Sequence, residues 1–126
     1  KYALILGDID DFKEVNDKYG HEAGDKVLVH LADILRRNVR ENDYVIRWGG
    51  EEFLVIMPGL AYDKVKLVAE QLRAGIEKSN NEVCTTTISI GVARYDGNDY
   101  HATIRKADEA LYEAKNSGRN KVISYE

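Results

Sequence analysis

The sequence predicts an α/β (α+β) domain: one mixed five-stranded sheet with flanking helices. Three observations lead there. Short apolar or β-branched runs alternate with stretches of helical period in the order β-α-α-β-β-α-β-α-β. A Gly-Gly pair, Gly49-Gly50, separates two of the runs as a hairpin turn would. The length of 126 residues, 44% of them apolar, suffices for one core and is too short for two.

Tyr2-Ala3-Leu4-Ile5-Leu6, stopped by Gly7, reads as a buried first strand. Phe12, Val15 and Tyr19 recur at helical spacing, with Gly20 where a C-cap would stand. A longer helix follows, its stripe formed by Val27, Leu28, Leu31, Leu35 and Val39. Tyr44–Trp48 and Phe53–Met57 flank the Gly-Gly turn as a strand pair, closed by Pro58-Gly59. Val65, Val68, Ala69, Leu72 and Ile76 mark a third helix. Thr85–Ala93 is β-branched and predicts a strand, Ile104, Ala107, Leu111 and Ala114 a fourth helix, and Val122–Tyr125 a last strand. A strand-helix-strand crossover followed by a hairpin is the split βαβ arrangement, which lays the first strand beside the third. Residues near Asp8 should therefore meet residues near Glu51.

Composition excludes several classes. A net charge of −4 argues against a nucleic-acid or anionic-membrane binder, which would carry a basic face. One cysteine, Cys84, allows no internal disulfide and no Cys-based zinc site. The longest apolar runs are five residues, far short of a membrane span. The chain opens at Lys1 directly on a strand, so it is expected to be an N-terminally truncated domain, residues 1–126, cytoplasmic, with an upstream sensor or receiver and any membrane anchor lying outside it.

Two acidic groups converge under this topology: Asp8, Asp10 and Asp11 after the first strand, and Glu51-Glu52 after the turn. Carboxylates about 4 Å apart repel by roughly 4 kcal/mol at an effective dielectric near 20, so a cation is expected between them. Oxygen ligands without His or Cys point to a hard one, Mg²⁺ with a substrate phosphate. Solvated acidic loops are the bland reading of any single Asp here. Lys115 and Arg119, four apart at the end of the last helix, could clamp a phosphate chain, although cations also belong at helix C-termini. Asn16 and Asp25 bracket Gly20-His21, and their oxygens could accept the N–H groups of guanine. From spacing alone, Asp25 reads better as a helix-start carboxylate.

Gly49-Gly50-Glu51-Glu52-Phe53 resembles the signature of the GGDEF family, the diguanylate cyclases. The resemblance extends through Asp8-Ile9-Asp10-Asp11-Phe12-Lys13, Asn16-Asp17, Tyr19-Gly20-His21, Gly24-Asp25, Arg47, Ser89–Ala93, Ala107-Asp108, Ala110–Tyr112, Ala114-Lys115 and Gly118-Arg119-Asn120, in family order from end to end. It implies a palm-like nucleotidyl cyclase fold and condensation of two GTP to cyclic di-GMP, with two pyrophosphates released. By position, Asp8, the backbone carbonyl of Ile9 and Glu51 would hold Mg²⁺ (or Mn²⁺), with Glu51 the candidate catalytic base. Phe12 and Lys13 would meet phosphates through their backbone, and Lys115 and Arg119 would hold the triphosphate. Asn16 and Asp25 would take the guanine, with His21 in the same corner, and Glu52 has no assigned role.

One domain presents one nucleotide, whereas the product contains two equivalent bonds, so a second copy facing the first under twofold symmetry is expected. Arg40-Glu41-Asn42-Asp43 resembles the family's RxxD product-inhibition motif, making Arg40 and Asp43 candidate cyclic di-GMP ligands. Arg105-Lys106-Ala107-Asp108 has the same spacing and reads as a helical i,i+3 pair. Gln71 stands where some members place a further arginine, with Arg73 two residues on and on another helix face. The competing readings are a catalytically silent receptor for cyclic di-GMP or GTP, a response-regulator receiver, and a cyclase that also accepts ATP.

Overall fold

The computed structural model describes residues 2–95, 97 and 99–125. Its elements are β1 (Tyr2–Ile9), α1 (Phe12–Tyr19), α2 (His21–Arg37), β2 (Tyr44–Arg47), β3 (Glu52–Pro58), α3 (Tyr62–Lys78), β4 (Ile88–Arg94), α4 (Tyr100–Asn116) and β5 (Val122–Ser124). The strands form one sheet in the order β2-β3-β1-β4-β5. β1 runs antiparallel to both β3 and β4, β2 antiparallel to β3, and β5 parallel to β4. The element order and the β1–β3 neighbourhood are those the sequence predicts.

Period-two alternation in β1 divides the core. Ala3, Ile5 and Ile9 join α2 and α3 in a larger cluster that includes Val27, Leu31, Leu72 and Ile76. Leu4 and Leu6 face the other way and pack on Ala107 and Leu111 of α4. Asp8 shares their parity, so the alternation that fills the core also turns this carboxylate toward the α4 layer. A one-residue slip of β1 would carry it to the opposite face.

The close approach of α4 depends on Gly91. A Cβ there would run into the backbone carbonyl oxygen of Ala107 and the amide nitrogen of Leu111, which a rotamer change cannot move. Gly91→Ala is therefore expected to cost about 3 kcal/mol, readable as a fall in the urea midpoint with the slope unchanged.

Several element boundaries differ from the pattern. α2 stops at Arg37 with Asn38 at its C-cap, so Val39 lies beyond the helix whose stripe it was expected to join. β2, β3 and β5 differ by one residue at one end or both. β1 runs through Gly7 to Ile9, because a central strand paired on both edges tolerates a glycine that an isolated run would not. β4 begins at Ile88, not Thr85: the threonine hydroxyls before it bond side chains, Thr86 accepting from Asn81 five residues back and Thr87 donating to Asp10 past the end of β1.

Candidate functional site

The site lies where β1 ends beside the β2–β3 turn. Asp8 pairs across the ladder with Glu52 on one side and Ser89 on the other. The next amide, Ile9 N–H, donates to the carbonyl of Glu51 at 3.2 Å. The turn is braced by Arg47, whose Nη2 donates to the Gly50 carbonyl at 2.6 Å, and by the amide of Trp48, which bonds the Glu52 carbonyl at 2.8 Å. The two acidic groups thus meet as the topology requires.

Asp8 is 4% exposed. Its Oδ2 lies 2.8 Å from Nζ of Lys115, and its Oδ1 is buried with no hydrogen-bond partner. A buried carboxylate oxygen left unpaired is costly and calls for an explanation. Its charge is felt nearby. Burial, then Asp8, push the Glu51 carboxyl above its ordinary value, with Lys115 opposing. Glu52 is raised in the same way by burial, Asp8 and Asp108.

The donors suit a hard cation: an orphaned buried oxygen on Asp8, a neighbouring carboxylate on Glu51 whose ionised form Lys115 only partly compensates, and, among the described residues, no His or Cys grouped with them. Among the described residues no group of three or more His, Cys, Asp and Glu side chains forms a chelating cluster. The expected set of two carboxylates and the Ile9 carbonyl would be smaller than that, and such a set suits Mg²⁺ only when substrate phosphates complete its shell.

Asp10, counted with the acidic group in the sequence, has a different environment. Its carboxylate is 6% exposed and accepts from Ser89 Oγ at 2.6 Å, Thr87 Oγ1 at 2.8 Å and the Asn120 amide at 3.0 Å. With three donors it is a satisfied structural anchor. Asp11 stands at the N-cap position of α1 in the left-handed region at φ 56°, with no side-chain capping bond, and its Oδ1 lies 3.6 Å from Nε of Arg119.

Lys115 is on α4, but Arg119 is not at the helix end where spacing puts it. α4 stops at Asn116, Gly118 follows at φ 118°, and the Arg119 amide bonds the Ala114 carbonyl at 3.0 Å, closing a Schellman turn. The turn reverses the chain and brings Arg119 back over the β1–α1 connection.

At the α1–α2 corner, Phe12 is buried, and Lys13 is exposed and paired with Asp17 at 2.9 Å. The Asn16 side-chain oxygen fills the space a Cβ on Gly24 would take, so the glycine admits Asn16 against α2 at the residue before Asp25. His21 is the exposed first residue of α2. Asp25 is exposed in the second turn of that helix, beyond the unpaired amides of the first, which corrects its reading as a helix-start carboxylate. It lines a groove with Tyr19, Glu22, Lys26 and Glu82.

Arg40 and Asp43 form a forked pair at the start of β2. Nη2 and Nε of Arg40 reach Asp43 Oδ1 at 2.6 and 3.0 Å, and Nη2 also donates to the Pro58 carbonyl at 2.7 Å. Arg73 is bonded to Glu70, Glu77 and Asn120, away from that pair. The ties of Asn120 to Asp10 and to Arg73 had no assigned place in the sequence, because these partners lie 110 and 47 positions apart.

The sequence matches the family described as "Diguanylate cyclase, GGDEF domain" over residues 1–121. Diguanylate cyclase DgcM of Escherichia coli (strain K12) is 44% identical over 125 residues, covering 98% of this chain and 30% of that protein. Diguanylate cyclase DosC of the same strain is 40% identical over 126 residues, covering 95% and 27%. The solved GGDEF domain of DgcB from Caulobacter crescentus, in complex with c-di-GMP, superposes with a TM-score of 0.90 at 36% identity, over 98% of this chain and 77% of that one. The chain thus spans about a third or less of these curated relatives.

Proposed function

The chain belongs to the GGDEF domain family, and from that premise we propose that it condenses two GTP molecules into cyclic di-GMP. In each half-reaction a 3′-oxygen attacks the α-phosphorus of the facing nucleotide, the α–β anhydride bond breaks, the hydroxyl proton departs and pyrophosphate leaves. Two such events between two copies of the domain close the ring, one GTP coming from each copy.

The observation that carries this reading is the buried, unpartnered Oδ1 of Asp8 beside Glu51. Asp8, the Ile9 carbonyl and Glu51 would hold Mg²⁺ or Mn²⁺. When bound, the metal would supply positive charge to the attacking and leaving oxygens. Glu51, with its carboxyl already biased toward protonation, is suited to take the hydroxyl proton. Lys115 and Arg119 would neutralise the triphosphate, and the backbone at Phe12 and Lys13 would seat its phosphates. Asn16 and Asp25 would accept from guanine N1–H and N2–H, with His21 at the rim; adenine would set a lone pair against Asp25. A cytoplasmic setting and an upstream regulatory domain complete the proposal. No helix among the described residues is long and apolar enough to cross a membrane.

Incubating the intact protein with GTP and Mg²⁺, and following cyclic dinucleotide and pyrophosphate by mass, tests the reading. One cyclic di-GMP per two pyrophosphates, abolished by a chelator, supports it. Tight nucleotide binding with no product at any protein concentration would make the domain a receptor.

Arg40 and Asp43 would bind the product as an inhibitory ligand, since a guanidinium can grip a phosphate and stack on a base. Arg40→Ala should leave initial rates within about twofold and lower the melting temperature only slightly, by removing the bond to the Pro58 carbonyl. Its progress curves should stay linear where those of the wild type bend as cyclic di-GMP accumulates. Curves that bend equally would remove this pair from inhibition.

A further inference from the structure

The turn that carries Arg119 is an unfavourable piece of backbone. Gly118, Arg119 and Asn120 take φ values of 118°, 64° and 49° in succession, and the two non-glycine residues are each strained there. Such a turn persists only if its surroundings over-determine it. Two anchors do so. The Asn120 amide is held at 3.0 Å by the buried Asp10 carboxylate, itself pinned by Thr87 and Ser89 of the β4 segment. The Asn120 side chain is held from α3: its Oδ1 accepts from Arg73 Nη1 at 2.9 Å, and its Nδ2 donates to Glu77 Oε2 at 2.9 Å.

Arg73 is well prepared for this. Its side chain is 16% exposed and its guanidinium is fixed by Glu70 one turn before and Glu77 one turn after, at 2.5 and 3.0 Å. The pairs preset its direction on α3, so little rotamer freedom is lost in gripping Asn120. Arg119 is the next residue along the chain, with its Nε 3.6 Å from Asp11 beside the end of β1.

We infer that Arg73 is a positioning residue for the triphosphate-binding turn, acting through Asn120 to hold Arg119 in place. The inference rests on the reading of Arg119 as a phosphate ligand. Arg73 touches no nucleotide. Its contribution is to keep the Arg119 guanidinium near its binding position before the ligand arrives, so that binding does not have to order the turn. A tie that served only to stabilise α3 against β5 would have no such connection to Arg119.

The test is a double-mutant cycle in the intact protein, reading affinity for 3′-deoxy-GTP, which lacks the attacking hydroxyl and so cannot condense. Arg73→Ala is expected to weaken binding about tenfold, the size of one charge-assisted hydrogen bond to phosphate. Asn120→Gly should do the same; it permits the left-handed backbone, keeps the amide bond to Asp10 and removes only the link to α3. In an Arg119→Ala background, either change should add less than about twofold. Arg73→Lys, unable to fork between Asn120 and the two glutamates, should fall between wild type and Arg73→Ala.

If the Arg73 and Asn120 effects persist undiminished without Arg119, or if both variants bind like the wild type, the inference fails while the functional reading stands. If Arg119→Ala alone leaves affinity unchanged, or the wild type binds no 3′-deoxy-GTP, the assignment of Arg119 fails and takes the inference with it.

Discussion

The Glu51→Gln protein is expected to fold as the wild type does and to lose roughly three orders of magnitude in cyclic di-GMP formation at saturating GTP. Gln keeps the size and the turn but removes a charged oxygen ligand and a proton acceptor in one step. Its stability should respond in the opposite sense to its activity. Burial and Asp8 raise the Glu51 carboxyl, so the folded state holds that proton more tightly than the unfolded chain does. The stability this group adds is full below the ordinary carboxylate range and is lost as pH rises through the raised value. Gln has no such proton to lose. Without divalent cations, the melting temperature of the variant relative to wild type should climb as pH rises out of the ordinary carboxylate range and through the raised value. Product chromatography and thermal scans across pH read both effects. Near-full turnover would remove Glu51 from the chemistry, and a pH-independent melting difference would remove the repulsion argument.

Lys115→Met should destabilise the metal-free protein by about 2 kcal/mol, because it takes away the ammonium at 2.8 Å from a carboxylate that is 4% exposed. The figure is set below that of a fully buried pair because the lysine side chain is 34% exposed. Asp8 would then have both oxygens without compensation, in contact with two further carboxyls that are themselves biased toward protonation. A divalent cation should substitute for the lost charge. Adding Mg²⁺ is therefore expected to raise the melting temperature of Lys115→Met more than that of the wild type, where the cation must compete with Lys115. GTP turnover should fall as well, since the same side chain is assigned to the triphosphate. Equal Mg²⁺ shifts in the two proteins would mean that Asp8 is not where the cation binds.

Both predictions concern a place that was partly legible in advance. The five apolar runs, the helical stripes and the Gly49-Gly50 turn are local signals, and each corresponds to an element in the structure. Split βαβ connectivity then set β1 beside β3, and the meeting of Asp8 with the Glu51-Glu52 pair followed from strand neighbourhood alone. The chemical character of the site came from residue type: oxygen donors in excess of local positive charge.

What the linear pattern could not express was how polar atoms are satisfied. Asp8 and Asp10 look alike in sequence, two residues apart on an acidic run. One is left with an orphaned oxygen and the other is saturated by Ser89, Thr87 and Asn120, because the two carboxylates meet different partners from β4 and the turn before β5. Arg119 reads as a helix-end cation and is instead carried past a Schellman turn, since left-handed backbone at non-glycine residues is set by distant anchors and not by local preference. Asp25 reads as a cap and is one turn too late to be one, because α2 starts at His21. Periodicity and residue chemistry are local quantities and settled the fold class and the element order, while the family came from the resemblance of the Gly49–Phe53 motif and its companions. Which carboxylate is free to bind, and what holds the phosphate-facing turn, depends on contacts between segments far apart in the chain, and these exist only once the sheet has assembled.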